Sequence, residues 1–323
     1  MTSLVHVRAP CRLHFGMFGF GRADRPQFGG VGVMVEPPVI EVTIRPAAAF
    51  HVFGDLAERA RRFATLATRA WSQQDMPACA IHVRSPDNHV GLGVGTQLAL
   101  SVAAGLRHFL QLPDAPVEEL AASVGRAQRS AVGTYGFRYG GLIVDAGLFP
   151  GATARGLAGR LAQRVALPDE WCFVLVCPAD RRGLAGDSEA DAFARLPPVP
   201  GEVTDELLRI THDEILPAVG RGDCCAFGEA VFRYGRLAAE CFAAVQGGPF
   251  ANSNIERLVG SVRNHGVTGV GQSSWGPTVF ALCESESEAK ELAERLRRYE
   301  GAENSTITIA RPNNRGAIVK ASS

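Results

Sequence analysis

The chain has 323 residues, of which 46% are hydrophobic and 20% are charged, and its formal net charge is zero. This length exceeds one ordinary hydrophobic core and predicts a globular protein of two domains. The neutral balance gives no general attraction for nucleic acid or an anionic membrane, and no apolar run reaches the roughly 18 residues that a membrane span needs. The N-terminal stretch MTSLVHVRAP is too short and too mixed for a signal peptide, so we expect a cytoplasmic protein.

The eight cysteines form no C-x-x-C pair and do not cluster with histidine at the spacing of a zinc site. Cys172 and Cys177 lie in an apolar, strand-like run, and Cys224 and Cys225 are adjacent. We therefore expect reduced cysteines that serve as packing residues.

The first half of the chain alternates strand patterns, helical patterns and glycine. Period-two alternation predicts strands, and a periodicity of 3.6 residues predicts helices. The predicted elements are strands at 40–46, 80–85 and 140–149 and helices at 56–71, 98–110 and 114–128. Pro116 in the first turn, followed by acidic residues, supports the start of the last of these helices.

A glycine-rich stretch of small residues at 151–163 separates the two halves, and we place the domain boundary near residue 165, giving domains 1–165 and 166–323. The predicted elements of the second half are strands at 171–178, 278–283 and 305–310 and helices at 204–219, 223–245, 254–264 and 286–299. These patterns predict an α+β fold.

The stretch HVGLGVGTQLAL (89–100) places three glycines at alternate positions directly before a predicted helix. Glycine weakens a strand, whereas a glycine-rich turn at a helix N-terminus can hold phosphate with backbone N–H groups and the positive end of the helix dipole. We predict a diphosphate-binding loop here, made of Gly91, Gly93, Gly95, Thr96 and Gln97. The alternative is a tight turn before a buried helix.

A second glycine-rich loop, TGVGQSSWGP (268–277), leads into the predicted strand at 278–283. We predict that it completes the phosphate site with Gly271, Gln272, Ser273 and Ser274. A plain turn between a helix and a strand is the alternative.

Several segments together resemble the superfamily of galactokinase, homoserine kinase, mevalonate kinase and phosphomevalonate kinase, and more closely its non-kinase branch, the β-ribofuranosylaminobenzene 5′-phosphate synthases. The segments are PCRLHFG (10–16), GGVGVMVEPP (29–38), HVGLGVGTQLAL (89–100), the stretch 129–145, RGLAG (182–186) and GVGQSSWGPTVFAL (269–282). The resemblance implies a two-domain small-molecule-kinase fold. Its N-terminal domain is ribosomal-protein-S5-domain-2-like and its C-terminal domain is ferredoxin-like.

The resemblance also implies a reaction. 5-Phosphoribosyl 1-diphosphate and 4-aminobenzoate condense to an aryl C-riboside 5′-phosphate, with release of CO₂ and pyrophosphate, in tetrahydromethanopterin biosynthesis. Such chemistry needs the diphosphate charge neutralised by N–H groups, arginine or lysine, and a divalent metal. We expect Mg²⁺ or Mn²⁺, no organic cofactor, no nucleic-acid or membrane partner and, from the family resemblance, a homodimer.

Two departures from the kinase pattern count against phosphoryl transfer, and one of them, Val94, also departs from the synthase branch, where serine is expected. Kinases of the superfamily usually carry two hydroxyl residues after GLG, where this chain has Val94 and Gly95, so that Thr96 is the first hydroxyl. Many of them use an aspartate base in a G-x-x-S-G-x-D stretch, and Phe137 stands near that position here. Phenylalanine cannot remove the proton of an acceptor hydroxyl.

Further site residues are predicted from their chemistry. Arg12 and His14 would face the same side of a strand, and His14 is a candidate acid or base. Arg138, beside Phe137, is a candidate catalytic group that binds a phosphate or the aminobenzoate carboxylate. The segment GFGRADRPQFGG suggests a mobile loop that brings Arg22, Asp24 and Arg25 to the substrate, with Asp24 in a catalytic role.

The remaining candidates are phosphate contacts, metal ligands and aromatic walls. His89 abuts the first glycine loop, and Arg182 follows a predicted buried strand, so each is a candidate phosphate contact. Asp145 and Thr96 are candidate metal ligands. Tyr135, Phe137 and Trp275 could wall an aromatic substrate, although aromatic residues more often pack in cores.

Two other functions remain open on this sequence. The first is an ATP- and Mg²⁺-dependent small-molecule kinase, against which the residues at 94, 95 and 137 count. The second is a phosphosugar-binding or regulatory protein on the same scaffold. A kinase would respond to ATP, whereas a sensor would bind its ligand and release no pyrophosphate.

Overall fold

Strands and helices alternate along the chain as an α+β fold. The computed structural model describes residues 4–72, 75–148, 159–179, 187–299, 301–302 and 304–322, with only the backbone described at 187–190. The strands are β1 (Leu4–Met17), β2 (Gly30–Pro46), β3 (His51–Gly54), β4 (Cys79–Arg84), β5 (Leu142–Asp145), β6 (Leu161–Val165), β7 (Cys172–Pro178), β8 (Val270–Gln272), β9 (Val279–Cys283), β10 (Ser305–Pro312) and β11 (Ile318–Ser322). The helices are α1 (Ala57–Ala70), α2 (Val94–Phe109), α3 (Val117–Ser123), α4 (Val132–Tyr139), α5 (Asp187–Arg195), α6 (Gly201–Arg209), α7 (Leu216–Arg221), α8 (Cys224–Glu240), α9 (Ala243–Gln246), α10 (Ser253–Asn264) and α11 (Glu286–Arg297), with a π-helical turn at Ile210–Ile215.

The antiparallel pair β1–β2 organises the first part of the sheet. β4 and β5 pair with β2, β3 runs parallel to β4, and β6 pairs with β5. Alternate residues of β1 from Val5 to Leu13 are fully buried, as expected for a strand that covers a core with one face. Helices α1, α2 and α4 pack around this core.

The second part of the sheet follows the order β10–β7–β9–β8, and β10 joins it to β2 through Arg311 and Pro312. Its own core lies between these strands and helices α10 and α11. The last strand, β11, returns to pair with β1, so residues from both predicted domains share one sheet. The boundary near residue 165 stays a prediction.

The predicted α+β class is confirmed, and most predicted elements are present with shifted ends. The largest difference is at 114–128, where α3 ends at Ser123 and a turn runs on to Ser130. Gly125 and Ala127 adopt left-handed backbone conformations there (φ +64° and +60°), which a continuous right-handed helix does not allow. This turn contributes to the site described below.

All eight cysteines are free, as predicted, and all are at least partly buried except Cys225, which is exposed. Within the described ranges, no helix is both long enough and apolar enough to cross a membrane.

Candidate functional site

A cleft of about 1030 Å³ lies where the two glycine-rich loops meet α1 and the turn after α3. Arg12 and His14 of β1 line it together with Gly91, Gly93, Gly95 and Thr96. Ser274, Trp275 and Gly276 reach it from the second loop, which is far from α1 in the sequence. The volume is of the size that holds a small molecule of several groups.

The first glycine loop needs its glycines for two physical reasons. Gly91 and Gly93 have left-handed backbones (φ +87° and +68°), and Gly93 is the N-cap of α2 without a side-chain cap. A Cβ atom on Gly91 would lie 2.5 Å from the Ser273 carbonyl oxygen, and one on Gly93 would lie 3.0 Å from Arg12 Nε. The loop therefore opens the N-terminus of α2 to the cleft, with its first N–H groups available for an anion.

The second glycine loop fastens the first one in place. Ser273 Oγ donates to the Gly91 carbonyl (2.7 Å) and accepts from the His14 N–H (3.0 Å). Thr278 Oγ1 donates to the Val90 carbonyl at 2.6 Å. Gln272 is also engaged within the protein, with its side chain bonded to Ala251 N–H and the Ser274 carbonyl. Ser273 and Gln272, predicted as substrate contacts, thus have structural hydrogen bonds that account for their positions.

Arginine dominates the charge of the cleft. Among the described residues that line it, one carboxylate, Glu58, stands against five guanidinium groups, which belong to Arg12, Arg59, Arg62, Arg126 and Arg129. Glu58 is 92% exposed and so screens this charge weakly. The cleft is therefore suited to a multiply charged anion such as a diphosphate.

Arg59 is the arginine whose environment most clearly calls for an anion. Its Nε is buried without a hydrogen-bond partner, and its Nη1 contacts His89 Nε2 at 3.2 Å. Burial, and secondly the charge of Arg62, lower the pKa of Arg59 from its ordinary value. The guanidinium groups of Arg59 and Arg126 lie 5.8 and 4.9 Å from the centre of the Phe63 ring, which holds them beside the cleft.

His89 Nε2 has two hydrogen-bond partners within the protein. Its Nε2 lies 3.2 Å from Arg59 Nη1 and 2.7 Å from Asn88 Nδ2. Because a guanidinium only donates, Nε2 is an acceptor in the first contact. The backbone of His89 is left-handed (φ +64°), so this residue shares the unusual geometry of the glycine loop beside it.

His14 lies at the floor of the cleft and is 3% exposed. Its Nε2 is 3.0 Å from Ser130 Oγ, and its main chain bonds to Ser273 Oγ and the Ser274 N–H. Burial, and secondly the charge of Arg12, lower the pKa of His14 well below 6.5. His14 is therefore neutral at pH 7, and it forms a hydrogen bond with Ser130 without adding positive charge to the cleft.

Several predicted residues lie outside the cleft. Arg138 is exposed at the end of α4 and is not among the lining residues. Arg22 pairs with Asp24 at 2.7 Å, and Arg25 pairs with Asp205 of α6 at 2.6 Å, which directs these side chains to the surface beside α6. Gln97 is buried and donates to the Gly133 carbonyl at 2.7 Å, tying α2 to α4 behind the loop. Arg182 lies outside the described residues.

The aromatic and glycine candidates divide between the cleft and its surroundings. Trp275 lines the cleft, whereas Tyr135 and Phe137 belong to the main hydrophobic core. Gly271 does not reach the cleft but lines a neighbouring slot.

The predicted metal ligands are not brought together. Thr96 lines the cleft, whereas Asp145 is fully buried and accepts the N–H groups of Ala131 (2.6 Å) and Gly147 (2.9 Å). Burial raises the pKa of Asp145 to about 7, against the lowering effect of these two bonds. In the part of the chain that is described, no three His, Cys, Asp or Glu side chains cluster as a metal site. The arginine-rich donor set does not fit a magnesium ion held by the protein.

Most of the cleft's arginines, which together form a cationic wall, were not predicted from the sequence: Arg59, Arg62, Arg126 and Arg129. Arg59, Arg62, Phe63 and Leu66 follow the spacing i, i+3, i+4, i+7 and so share one face of α1, which was a readable signal. Arg126 lies in the stretch predicted as helix (114–128), and Arg129 and Ser130 directly follow that stretch, so the direction of these side chains in the turn could not be inferred.

Comparisons with known proteins identify the family. A protein-family model, GHMP kinases C terminal, matches residues 215–302. The beta-ribofuranosylphenol 5'-phosphate synthase of Archaeoglobus fulgidus is 30% identical, over 98% of this chain and 100% of its own length. The synthase of the same name from Methanothermobacter thermautotrophicus is 28% identical, over 86% of this chain and 88% of its own.

Solved structures agree on the fold. The homoserine kinase of Cytophaga hutchinsonii superposes with a TM-score of 0.69 at 13% identity, covering 99% of this chain and 98% of the kinase. The mevalonate-3-kinase of Thermoplasma acidophilum gives 0.64 at 13% identity, covering 99% of both chains. The predicted superfamily fold is confirmed, and the chain belongs to the beta-ribofuranosylphenol 5'-phosphate synthase family, a family of enzymes of the transferase type.

Proposed function

We propose that this enzyme is a pentosyltransferase that condenses 5-phosphoribosyl 1-diphosphate with a benzoate carrying an electron-donating group para to its carboxylate, and that it releases CO₂ and pyrophosphate. The observation that carries the proposal is the cleft in which five arginines face an open helix N-terminus. The relatives are named for a phenol product, whereas the sequence resemblance implies an aminobenzene product. We therefore propose 4-hydroxybenzoate or 4-aminobenzoate as the acceptor, and tetrahydromethanopterin-type biosynthesis as the pathway.

The bond changes balance without a further reactant. The bond between ribose C1 and the diphosphate oxygen breaks, and pyrophosphate leaves with the electron pair. The ring carbon that bears the carboxylate then bonds to C1, and the bond to the carboxylate breaks, returning its electron pair to the ring as CO₂ departs. No protein nucleophile or net proton transfer is required, so positioning and electrostatics carry the catalysis.

The arginine cluster supports the departure of the diphosphate. Negative charge grows on the leaving group as the C1–O bond breaks, and guanidinium groups and α2 N–H groups stabilise that charge. Arg59, whose buried Nε has no hydrogen-bond partner, gains an acceptor when the diphosphate binds. This interaction is stronger with the departing pyrophosphate than with the intact substrate, which is what catalysis requires.

His14 and Ser130 would face the ribose at the floor of the cleft. A developing oxocarbenium ion is cationic, and a cationic imidazolium beside it would oppose its formation. The lowered pKa keeps His14 neutral, so that it offers hydrogen bonding through Ser130 without repulsion. We propose a positioning role for His14 rather than proton transfer.

We propose that Mg²⁺ or Mn²⁺ binds together with the diphosphate, whose oxygens would coordinate it, and that no organic cofactor is needed. The described cleft residues form no metal site of their own. We further propose a cytoplasmic homodimer that acts on small molecules without a nucleic-acid or membrane partner. The eight free cysteines support a reducing compartment.

Turnover tests the proposal directly. The purified protein is incubated with Mg²⁺, phosphoribosyl diphosphate and either 4-hydroxybenzoate or 4-aminobenzoate, and pyrophosphate and CO₂ are measured together. We expect equal amounts of both products with at least one acceptor. The kinase alternative, which shares this fold, predicts ATP consumption with a small alcohol instead. Binding of phosphoribosyl diphosphate with no release of pyrophosphate would favour a sensor.

A further inference from the structure

A narrow slot of about 50 Å³ lies behind the floor of the cleft, between β1, α8, α9 and the second glycine loop. Its boundary with the cleft is formed by residues that line both spaces, namely His14, Met17, Ser274 and Trp275. The slot is about one-twentieth the volume of the cleft and has mainly apolar walls. These apolar walls match the chemistry of an aromatic ring, whereas they leave the charges of a sugar diphosphate unpaired.

Aromatic side chains form much of the slot. Phe232, Phe242, Phe250 and Phe280 line it together with Trp275. The Phe242 and Trp275 rings are 4.8 Å apart at 73°, and Phe193 packs against both, at 5.8 and 5.7 Å. This edge-to-face cluster keeps Trp275 at the boundary between the slot and the cleft.

One polar atom in this apolar setting has no explanation within the described fold. Gln246 ends α9 and lines the slot, and its Oε1 is buried without a hydrogen-bond partner. A buried acceptor left unsatisfied costs about 1–3 kcal/mol, so such an atom usually has a ligand or water to bond. The other glutamine of the slot, Gln272, has both ends of its side-chain amide bonded within the protein.

We propose that this slot receives the ring of the aromatic acceptor and that Gln246 Oε1 accepts a hydrogen bond from its para hydroxyl or amino group. This inference rests on the proposed function. The ring carbon that bears the carboxylate must meet ribose C1 in the cleft, so it faces the boundary formed by His14 and Trp275. The para substituent, at the opposite end of the ring, then points away from the cleft, and Gln246 lines the slot but not the cleft.

The proposed hydrogen bond to Gln246 Oε1 also explains why the enzyme would select a substrate whose para group can donate a hydrogen bond. A hydroxyl or an amine donates to Oε1, and a bond to that acceptor increases the electron release that the ring needs for attack on C1. A para-methoxy group has no proton to donate and leaves Oε1 unsatisfied. Sites that contain a buried polar group reject analogues that cannot pair with it. We therefore expect 4-methoxybenzoate to bind at least tenfold more weakly than 4-hydroxybenzoate.

Two variants probe the slot without touching the arginine cluster. Gln246→Leu keeps the size of the side chain and removes the acceptor, and Gln163→Leu on the exposed face of β6 is the matched control. Gly235→Leu fills the slot from α8, because a Cβ atom there meets only the Phe15 carbonyl oxygen, at 3.6 Å. Leucine is also a better helix former than glycine, so this variant should fold.

The dissociation constants for 4-hydroxybenzoate and for pyrophosphate are measured separately by calorimetry. We expect Gln246→Leu to weaken 4-hydroxybenzoate binding at least tenfold and to remove the preference over 4-methoxybenzoate. We expect Gly235→Leu to abolish binding of 4-hydroxybenzoate, with pyrophosphate binding unchanged in both variants and in Gln163→Leu. Wild-type affinity for 4-hydroxybenzoate in Gln246→Leu or in Gly235→Leu would overturn the proposal.

Turnover by the wild type separates a wrong position for the ring from a wrong reaction. If the wild type releases pyrophosphate and CO₂ with 4-hydroxybenzoate while both variants keep their acceptor affinity, the ring binds elsewhere and the transferase stands. If the wild type releases neither product with either acceptor, the proposed function is wrong, and the slot proposal is wrong with it.

Discussion

Replacing Gly93 with alanine tests whether the first glycine loop binds the diphosphate. Gly93 has φ +68°, and a Cβ atom there would lie 3.0 Å from Arg12 Nε and 3.1 Å from Arg12 Cβ. The left-handed backbone costs an alanine about 1–2 kcal/mol of stability. The new methyl group also displaces Arg12, and losing a hydrogen bond to a charged group costs about 1.5–3 kcal/mol. At 1.4 kcal/mol per factor of ten, we expect roughly 10- to 100-fold weaker pyrophosphate binding in Gly93→Ala.

Gly222→Ala separates backbone strain from the effect on Arg12. Gly222 follows α7 with φ +66°, and a Cβ atom there meets nothing within 4 Å. Both variants should lose similar stability in urea unfolding, whereas calorimetry should find weaker pyrophosphate binding only in Gly93→Ala. Unchanged pyrophosphate affinity in a folded Gly93→Ala protein would refute the assignment of this loop.

Three further predictions address the cationic wall, the fastening of the loops and the buried histidine. Arg59→Leu should weaken pyrophosphate binding roughly tenfold and reduce its dependence on salt, while Arg61→Leu, outside the cleft, should change neither in the same titrations. Thr278→Val loses the buried hydrogen bond to the Val90 carbonyl and should lower the free energy of unfolding by about 1–3 kcal/mol. The exposed control Thr306→Val should change it little, and equal stabilities of the two variants would contradict a role for Thr278 in holding the first glycine loop. The pKa of His14 is lower in the folded than in the unfolded chain, so its contribution to stability is present above pH 6.5 and is lost as the pH falls below that value. When the pH falls from 7 to 5, the free energy of unfolding in urea should therefore decrease less in His14→Gln than in the wild type or in exposed His51→Gln. Equal decreases in all three proteins would show that His14 is not the group responsible.

The glycine loops could be predicted from sequence because their signal is local. Alternate glycines before a helix imply a left-handed turn, and Gly91 and Gly93 adopt it. The spacing that places Arg59 and Arg62 on one face of α1 is also a local sequence signal. Arginines on one helix face are usually solvated, however, so this signal does not by itself indicate a site. Their importance arises only when the packing of α1 against α2 brings them beside the glycine loop, which is a tertiary effect.

Other predicted residues depend on neighbours that sequence cannot reveal. The position of Asp145 at the end of a strand predicts a metal ligand, but in the fold its carboxylate accepts hydrogen bonds from two backbone N–H groups. Arg25 reads as a substrate contact in a glycine-rich loop, but Asp205, 180 positions away, pairs with it. Gln246 offered no motif at all, because its buried, unsatisfied Oε1 is a property of the assembled slot.

The proposed carbon–carbon bond between ribose C1 and the aromatic ring can be observed directly. The enzyme is supplied with phosphoribosyl diphosphate labelled with ¹³C at ribose C1 and with 4-hydroxybenzoate labelled with ¹³C at the ring carbon that bears the carboxylate. We expect a product in which the two labels show one-bond carbon–carbon coupling by NMR. A product in which ribose C1 is bonded to oxygen, or in which the carboxylate is retained, would contradict it.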